Sequence, residues 1–489
     1  MILNKRPITK ILMAVMALVG AAMLIPAVVA LIYKETHVFL SFIVCSVPMI
    51  VIGLIVIKVL PPGDNNTLKM RDGFFIVAMA WTGMSALGAL PFVVSGSIPN
   101  FIDAFFETAS GFSTTGSTIV SNIEALPYGI LFWRSFTHWL GGMGVLVLTI
   151  ALLPMLGIGG AKIMRAETTG PTMDKISGTV NDSARKLYTI YFGVTIVEII
   201  FLMCGGLNFF EASTHTFGTV GTGGLSTHSQ SIAAFGSAYV EMVIAVFMLL
   251  AGVNFNLYHY LFTGKPKIML KDPEFRTYLG IIFGSTAFIS VMLLIKHFYG
   301  SIAEAFRYAF FQVVSIITTT GYGTADYDTW PIPCRIIIFL LMVVGGCASS
   351  TGGGVKVIRI ILTAKLIKRG AQSRLHSSAV RPIKLGGRNV DEDTLSNVKS
   401  FMIIFLMTML IGTVIVSLDG YDIVTSLSAV VATLSNIGPG FNLIGPSCNF
   451  VLFSYPIKIL LSMFMIAGRL EIYTIFIMFT RVFWKDNNR

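Results

Sequence analysis

Runs of about 20 apolar residues recur along the chain between short polar stretches, and each run is long enough to cross about 30 Å of hydrocarbon as a helix. Ten spans are predicted, at 10–33, 38–60, 73–95, 128–154, 184–206, 236–263, 277–299, 333–369 (interrupted), 398–418 and 454–482. Continuous apolar strings of this length exclude barrel strands, which are about ten residues long and alternate in polarity. Four further segments, 101–112, 209–218, 302–318 and 421–435, are amphipathic and too short to cross. The pattern predicts an all-α polytopic membrane protein. The first span follows Lys5, Arg6 and Lys10, but it is too long for a secretory signal and a second span follows at once, so it is expected to be retained.

Composition agrees. The 489 residues are 54% hydrophobic and 12% charged, about half the charge of a soluble domain. With the N-terminus placed inside, all but seven of the 35 Lys and Arg fall at cytoplasmic ends, the seven being Lys34, Arg134, Lys296, Arg307, Arg335, Lys458 and Arg469. That bias predicts both termini on the cytoplasmic side. It also accounts for the net charge of +11, which therefore points to no nucleic acid: no basic stretch carries interleaved aromatics on a soluble domain. Cys45, Cys204, Cys334, Cys347 and Cys448 are scattered, without the spacing of a disulfide framework or a His/Cys metal site.

Four stretches between spans share a pattern: Ser113-Thr114-Thr115-Gly116-Ser117, Thr219-Val220-Gly221-Thr222-Gly223, Thr319-Thr320-Gly321-Tyr322-Gly323 and Asn436-Ile437-Gly438-Pro439-Gly440. Aligned on Gly116, Gly221, Gly321 and Gly438, they lie 105, 100 and 117 residues apart. Each follows an outward span and one short amphipathic segment, and precedes an inward span. The chain thus reads as four helix–pore helix–loop–helix repeats, 66–170, 171–270, 271–385 and 386–489, behind an N-terminal helix pair at 1–65. Small residues recur in the inward spans, at Gly141-Gly142-Met143-Gly144, Ala251-Gly252, Gly345-Gly346 and Ala467-Gly468, where they suit close helix packing.

The loops suit a bare cation. Such an ion exchanges its water for rings of backbone carbonyls, as in potassium channels. Turning successive carbonyls one way requires left-handed residues, which glycine supplies at little steric cost. Half helices that end at the loops add a partial negative charge there. Asp103, Asp422 and Glu304 lie near their N-terminal ends, and Glu107 and Glu211 are placed to anchor loops. The expected ion ligands are Thr114, Thr115, Gly116, Thr219, Val220, Gly221, Thr319, Thr320, Gly321, Asn436, Ile437 and Gly438.

Two features sit inside spans where helix is disfavoured. Residues 345–354 read Gly345-Gly346-Cys347-Ala348-Ser349-Ser350-Thr351-Gly352-Gly353-Gly354, and each glycine costs a helix up to about 1 kcal/mol relative to alanine. Broken helix at membrane depth is tolerated only beside protein or a water-filled cavity, so this segment is expected to leave the helix and cross the pore beneath the loops. Plain helix packing is the alternative. A phosphate loop is not supported, since no Gly-Lys-Ser/Thr and no preceding strand is present. Arg469 lies about 22 Å into its span if that span begins near Ser454. It either pairs with a neighbour such as Glu471 or places a fixed positive charge in the ion path. His138, His215 and Asn254 are expected to be satisfied by helix–helix hydrogen bonds.

With these four loops, the glycine run and Arg469, the chain resembles the membrane subunit of the Trk/Ktr/HKT superfamily of potassium transporters, bacterial Trk type, over essentially its whole length. The resemblance implies a single-chain pore of pseudo-fourfold symmetry for potassium, assembled as a homodimer in membrane lipid. It implies a place in a bacterial inner membrane, control by a separate cytosolic nucleotide-binding subunit, no cofactor beyond the transported ion, an intramembrane gating loop at 345–354 and an arginine beneath the filter at 469. In the family, glycine at the key position of the first loop accompanies potassium selectivity, and Gly116 fits. Loop one lacks a second glycine and loop four carries Pro439, so the filter is less regular than a tetrameric one. A sodium- or proton-coupled symporter working by alternating access remains the rival reading. An enzyme does not fit: the chain has no H-E-x-x-H, no nucleophile elbow and no paired carboxylates at membrane depth.

Overall fold

The computed structural model describes residues 5–60, 69–144, 180–375 and 382–484. The inner part of the span expected at 128–154, most of the basic stretch that begins at Lys162, and the repeat boundaries at 65 and 170 lie outside the described residues.

The chain opens with a hairpin of two long helices, α1 (Lys5–Ile32) and α2 (Thr36–Val59). Small residues bring them together: a Cβ on Gly53 would lie 2.7 Å from that of Ala17, the close backbone approach that stabilises helix pairs in lipid. The hairpin is tied to the rest by Glu35, whose carboxylate accepts from the N–H groups of Tyr128 (2.7 Å) and Gly129 (3.0 Å), the orphan donors at the start of the next inward helix.

Four repeats follow. The first holds α3 (Met70–Gly88), α4 (Leu90–Val94), the half helix α5 (Phe101–Phe112) and the inward helix α6 (Tyr128–Gly142). In the second, α7 (Val180–Cys204) and α8 (Phe209–Val220) lead to α9 (Ala238–Ala251) and α10 (Phe255–Phe262), with α11 (Pro266–Lys271) as the link to the next. The third comprises α12 (Pro273–Ile295), α13 (Ile302–Ile317), α14 (Ile332–Val344) and α15 (Val357–Leu375). A two-stranded hairpin, β1 (Lys384–Leu385) with β2 (Arg388–Asn389), precedes the fourth, made of α16 (Glu392–Val416), α17 (Ile423–Leu434), α18 (Tyr455–Arg469) and α19 (Tyr473–Phe476). Short α20 (Arg481–Trp484) ends the described chain.

The half helices α5, α8, α13 and α17 are largely enclosed, and the sequence starts three of them cleanly. Asn100, Asn208 and Asp422 each accept side-chain hydrogen bonds from the first-turn N–H groups, the usual N-cap role of these residues. Around them lie two large apolar clusters, one drawn mainly from the N-terminal pair and repeats one and four, the other mainly from repeats two and three. Outer faces such as Val44, Val51 and Ile55 of α2 and Ile403, Leu410 and Val414 of α16 are apolar and exposed, as a lipid-facing surface requires.

Six described helices are long and apolar enough to cross a membrane, or eight if each of two bent pairs is one span. The bends correct the sequence reading. The spans expected to be continuous at 236–263 and 454–482 break: the axis turns by 96° between α9 and α10, and by 115° between α18 and the segment that starts at Tyr473. The cause is local. Gly252 and the N-cap Asn254 restart the helix in one, and Glu471 and Ile472 take positive φ in the other. All four inward helices therefore stop at a similar point after their loops, at Gly142, Ala251, Val344 and Arg469.

Candidate functional site

The half helices end at Ser113, Gly221, Thr318 and Ser435, and each is followed by a left-handed residue, one ordinary residue, and a left-handed glycine. The left-handed pairs are Thr114 and Gly116 (φ 57° and 87°), Thr222 and Gly224 (56° and 75°), Thr319 and Gly321 (59° and 84°), and Asn436 and Gly438 (56° and 101°). Repeat two thus follows a register three residues later than the sequence alignment. Gly221 has an ordinary φ of −71° and caps α8, so the counterpart of Gly116 is Gly224, and Thr219 and Val220 belong to the helix.

The four loops close on one another in cyclic order. A Cβ built on Gly116 would overlap the carbonyl oxygen of Gly223, one on Gly224 that of Thr320, and one on Gly321 that of Ile437. On Gly438 it would lie 2.8 Å from the oxygen of Thr115. Each key glycine is thus pressed against the carbonyl one residue before the key glycine of the next repeat. The carbonyl oxygens of Thr115, Gly223, Thr320 and Ile437 thus each lie against the key glycine of a neighbouring repeat, and four half helices end at these same loops, their C-termini giving the site a negative potential.

Side chains lock the ring from outside. Asn436 Nδ2 donates to Thr115 Oγ1 (3.0 Å), and Ser117 Oγ donates to the Gly438 carbonyl (3.0 Å), joining repeats one and four. The Tyr322 hydroxyl donates to the His215 carbonyl (3.0 Å), joining repeats three and two. Glu107 anchors loop one as expected: it accepts from Thr118 Oγ1 and the Ile119 N–H, and pairs with Arg134 at 2.8 Å, both side chains 1% exposed. Arg134 reaches on to the Ser226 carbonyl of repeat two (3.3 Å). Asp103 engages Lys458 (2.7 Å), and Glu211 lies 3.7 Å from His228. His215 is satisfied through the Glu211 carbonyl and the Ser226 hydroxyl, and Asn254 caps α10. His138 departs from expectation. Its ring backs directly onto Gly223, whose Cβ it would overlap, and it makes no regular hydrogen bond among the described residues.

Below the ring, α14 stops at Val344, and residues 345–356 pass under the loops before α15 resumes. Positive φ at Gly345, Ser349, Gly354 and Lys356 turns the chain. Gly352 and Gly353 come so close to the helix ends above that a Cβ would meet the carbonyl oxygens of Thr318 and Ser435, respectively. The Gly353 N–H donates to Thr319 Oγ1 (2.6 Å), the Cys347 N–H to the Gly252 carbonyl (2.9 Å), and Thr351 Oγ1 to the Ala251 carbonyl (3.2 Å). Ser349 accepts the Phe255 N–H through its carbonyl, Ser350 bonds back to Cys347, and Gly346 packs near Gly252.

Arg469, 8% exposed, completes the layer. Its guanidinium donates to the Thr351 carbonyl (2.5 Å), to the carbonyls of Gly141 (2.6 Å) and Gly142 (2.7 Å), and to Thr114 Oγ1 (3.4 Å). Glu471, the partner considered for it, pairs with Arg359. The loop and Arg469 together touch all four repeats directly beneath the ring. Lys356, which donates to the Gly352 carbonyl, and Arg359 were counted only among the cations at cytoplasmic ends, yet both are buried against this layer; their place within five residues of the glycine run was the available signal.

Residues 47–488 match the TrkH family model, described as a cation transport protein. The chain is 37% identical over 487 residues to the Trk system potassium uptake protein TrkH of Escherichia coli K12, covering 98% of this chain and 99% of that one. It is 34% identical over 472 residues to TrkG of the same strain, covering 96% of each. The crystal structure of the potassium transporter TrkH from Vibrio parahaemolyticus superposes with a TM-score of 0.88 at 35% identity, over 99% of this chain and 100% of that one. On these grounds the chain belongs to the TrkH family of cation transport proteins, which are membrane transporters and not enzymes.

Proposed function

We propose that the chain takes up potassium through a channel-like pore, with the ring as selectivity filter and the 345–356 loop with Arg469 as its gate. The observation that carries this reading is the cyclic closure of the four glycine loops, each key glycine against a backbone carbonyl of the next repeat, at the C-termini of four half helices. Thr114, Thr115, Gly116, Thr222, Gly223, Gly224, Thr319, Thr320, Gly321, Asn436, Ile437 and Gly438 are the ion-binding residues on this account. Uptake of potassium is also what the names of its relatives in Escherichia coli describe. The repeats share one orientation and their loops lie together, which suits a continuous path better than the inverted repeats of many alternating-access carriers. The basic bias of the chain supports cytoplasmic termini. The family resemblance supports a place in a bacterial inner membrane and a homodimer under a separate nucleotide-binding subunit.

The test is cation flux in proteoliposomes with potassium, rubidium, sodium and lithium. Potassium and rubidium are expected to pass in preference to sodium and lithium, with a reversal potential set by the permeant cation alone. A reversal potential that follows an imposed proton or sodium gradient would replace this reading by the coupled symporter.

A further inference from the structure

Glu274 has no part in the ring and lies at the start of α12, yet it is only 5% exposed. Its seat is rigid: Asp272 caps the helix by accepting the Phe275 N–H (2.8 Å), and Pro273 occupies the first turn, a position proline is pre-shaped for. One carboxylate oxygen, Oε1, accepts two backbone N–H groups, that of Ala348 (2.8 Å) and that of Ile358 (3.1 Å). Those residues stand on opposite stems of the intramembrane loop, one near its entry and one in the first turn of α15. A single atom of α12 therefore gathers both ends of the loop.

The junction is packed as well as bonded. Ala348 and Ile358 belong to a small apolar cluster with Ile383, Leu385 and Val390 of the β1–β2 hairpin and Leu395 of α16. Gly386, at the hairpin tip, faces the Pro273 ring: a Cβ built there would lie 3.7 Å from it. Burial keeps water from substituting for the carboxylate, so removing it strands two N–H groups.

We propose that Glu274 is a positioning residue for the intramembrane loop: its Oε1 fastens both stems to the start of α12, and the loop keeps its closed course beneath the ring only while that fastening holds. The consequence for ion flux rests on the gating reading above; the consequence for the loop does not.

Cys347, fully buried next to Ala348, reports on the loop directly. In full-length protein with Cys45, Cys204, Cys334 and Cys448 replaced by alanine, maleimide labelling of Cys347 is followed in nanodiscs. Glu274→Leu is expected to accelerate labelling by about tenfold. Glu274→Gln, whose amide oxygen still accepts both N–H groups, is expected to stay within about twofold of the parent. Equal labelling in Glu274→Leu and the parent overturns the proposal, and so does Glu274→Gln labelling as fast as Glu274→Leu. Should Glu274→Leu not fold, hydrogen exchange decides in the parent protein: the Ala348 and Ile358 amides are expected to be protected together, and fast exchange at either overturns the fastening. Faster labelling without a change in cation flux leaves the fastening standing and removes the gate.

Discussion

Replacing Arg469 by alanine removes a buried charge together with its bonds to Thr351, Gly141, Gly142 and Thr114. Of these, the bond to the Thr351 carbonyl is the one that joins this side chain to the loop, so it alone opposes the loop's displacement directly. A hydrogen bond from a charged group is worth about 1.5–3 kcal/mol net, which moves the closed-to-open ratio by about 10- to 100-fold. The charge acts separately, on the ion. At 5–8 Å and an effective dielectric of about 20, it repels a cation by about 2–3 kcal/mol. Both effects have the same sign, so Arg469→Ala is expected to raise potassium flux by about 10- to 100-fold, short of the full sum because the ring then limits passage. Arg469→Lys separates the two. It keeps the charge, but a compact ammonium cannot fork between Thr351 and the Gly141–Gly142 carbonyls as a guanidinium does, so a smaller gain is expected. Deleting 351–353 should also raise flux, and the double change should gain less than the two gains combined, as coupled neighbours do. The measurement is rubidium uptake into liposomes at equal reconstituted protein. Unchanged or lower flux in folded Arg469→Ala, or fully additive gains in the double variant, refutes the shared obstruction.

Gly116→Ser and Gly224→Ser are both expected to raise the sodium-to-potassium permeability ratio, since each puts a side chain on a left-handed residue pressed against the next repeat's carbonyl. Gly221→Ala, where the new methyl would meet the His138 and Phe217 carbonyls at 2.6 Å, is expected to cost about 1–3 kcal/mol of stability and leave the ratio alone; a ratio that shifts at Gly221 and not at Gly224 would restore the earlier register. Arg134→Met leaves the Glu107 carboxylate buried without its cation, an expected loss of about 3–5 kcal/mol that appears as a lower melting temperature and shrinks when Glu107→Gln is added; equal melting of Arg134→Met and the parent would deny the pair its structural weight.

Membrane spans, the fourfold repeat and the half helices were legible because hydrocarbon thickness imposes a length and glycine loops impose a residue type. Loop two was misregistered because Thr219 to Gly224 offers glycine at three positions, and local pattern cannot tell a helix cap from a left-handed turn. The cue lay further back: Asn100, Asn208 and Asp422 cap their half helices sixteen residues before Gly116, Gly224 and Gly438. Counting from the cap would have fixed the register. The bends after Ala251 and Arg469 were hidden for another reason. Gly252 and Gly468 were read as packing residues, and Gly468 does let α18 press on the Leu434 carbonyl, but a span scored by mean hydropathy stays continuous through a 115° turn. Glu274 was invisible to the sequence, because its partners are backbone amides 74 and 84 residues away.

Because the ring is drawn from one chain and its four walls read Thr115, Gly223, Thr320 and Ile437, a single codon change alters one quarter of the site. In a tetramer of identical subunits the same change strikes four times over and is usually all or nothing. Here mutational dosage is graded: if the ring is the filter proposed above, permeation properties can drift one wall at a time, with the other three holding the backbone in place. The ring already departs from regularity in this way: the position of Tyr322 holds Ser117, Leu225 and Pro439 in the other repeats, and that of Gly323 holds Thr118 and Ser226 in two of them.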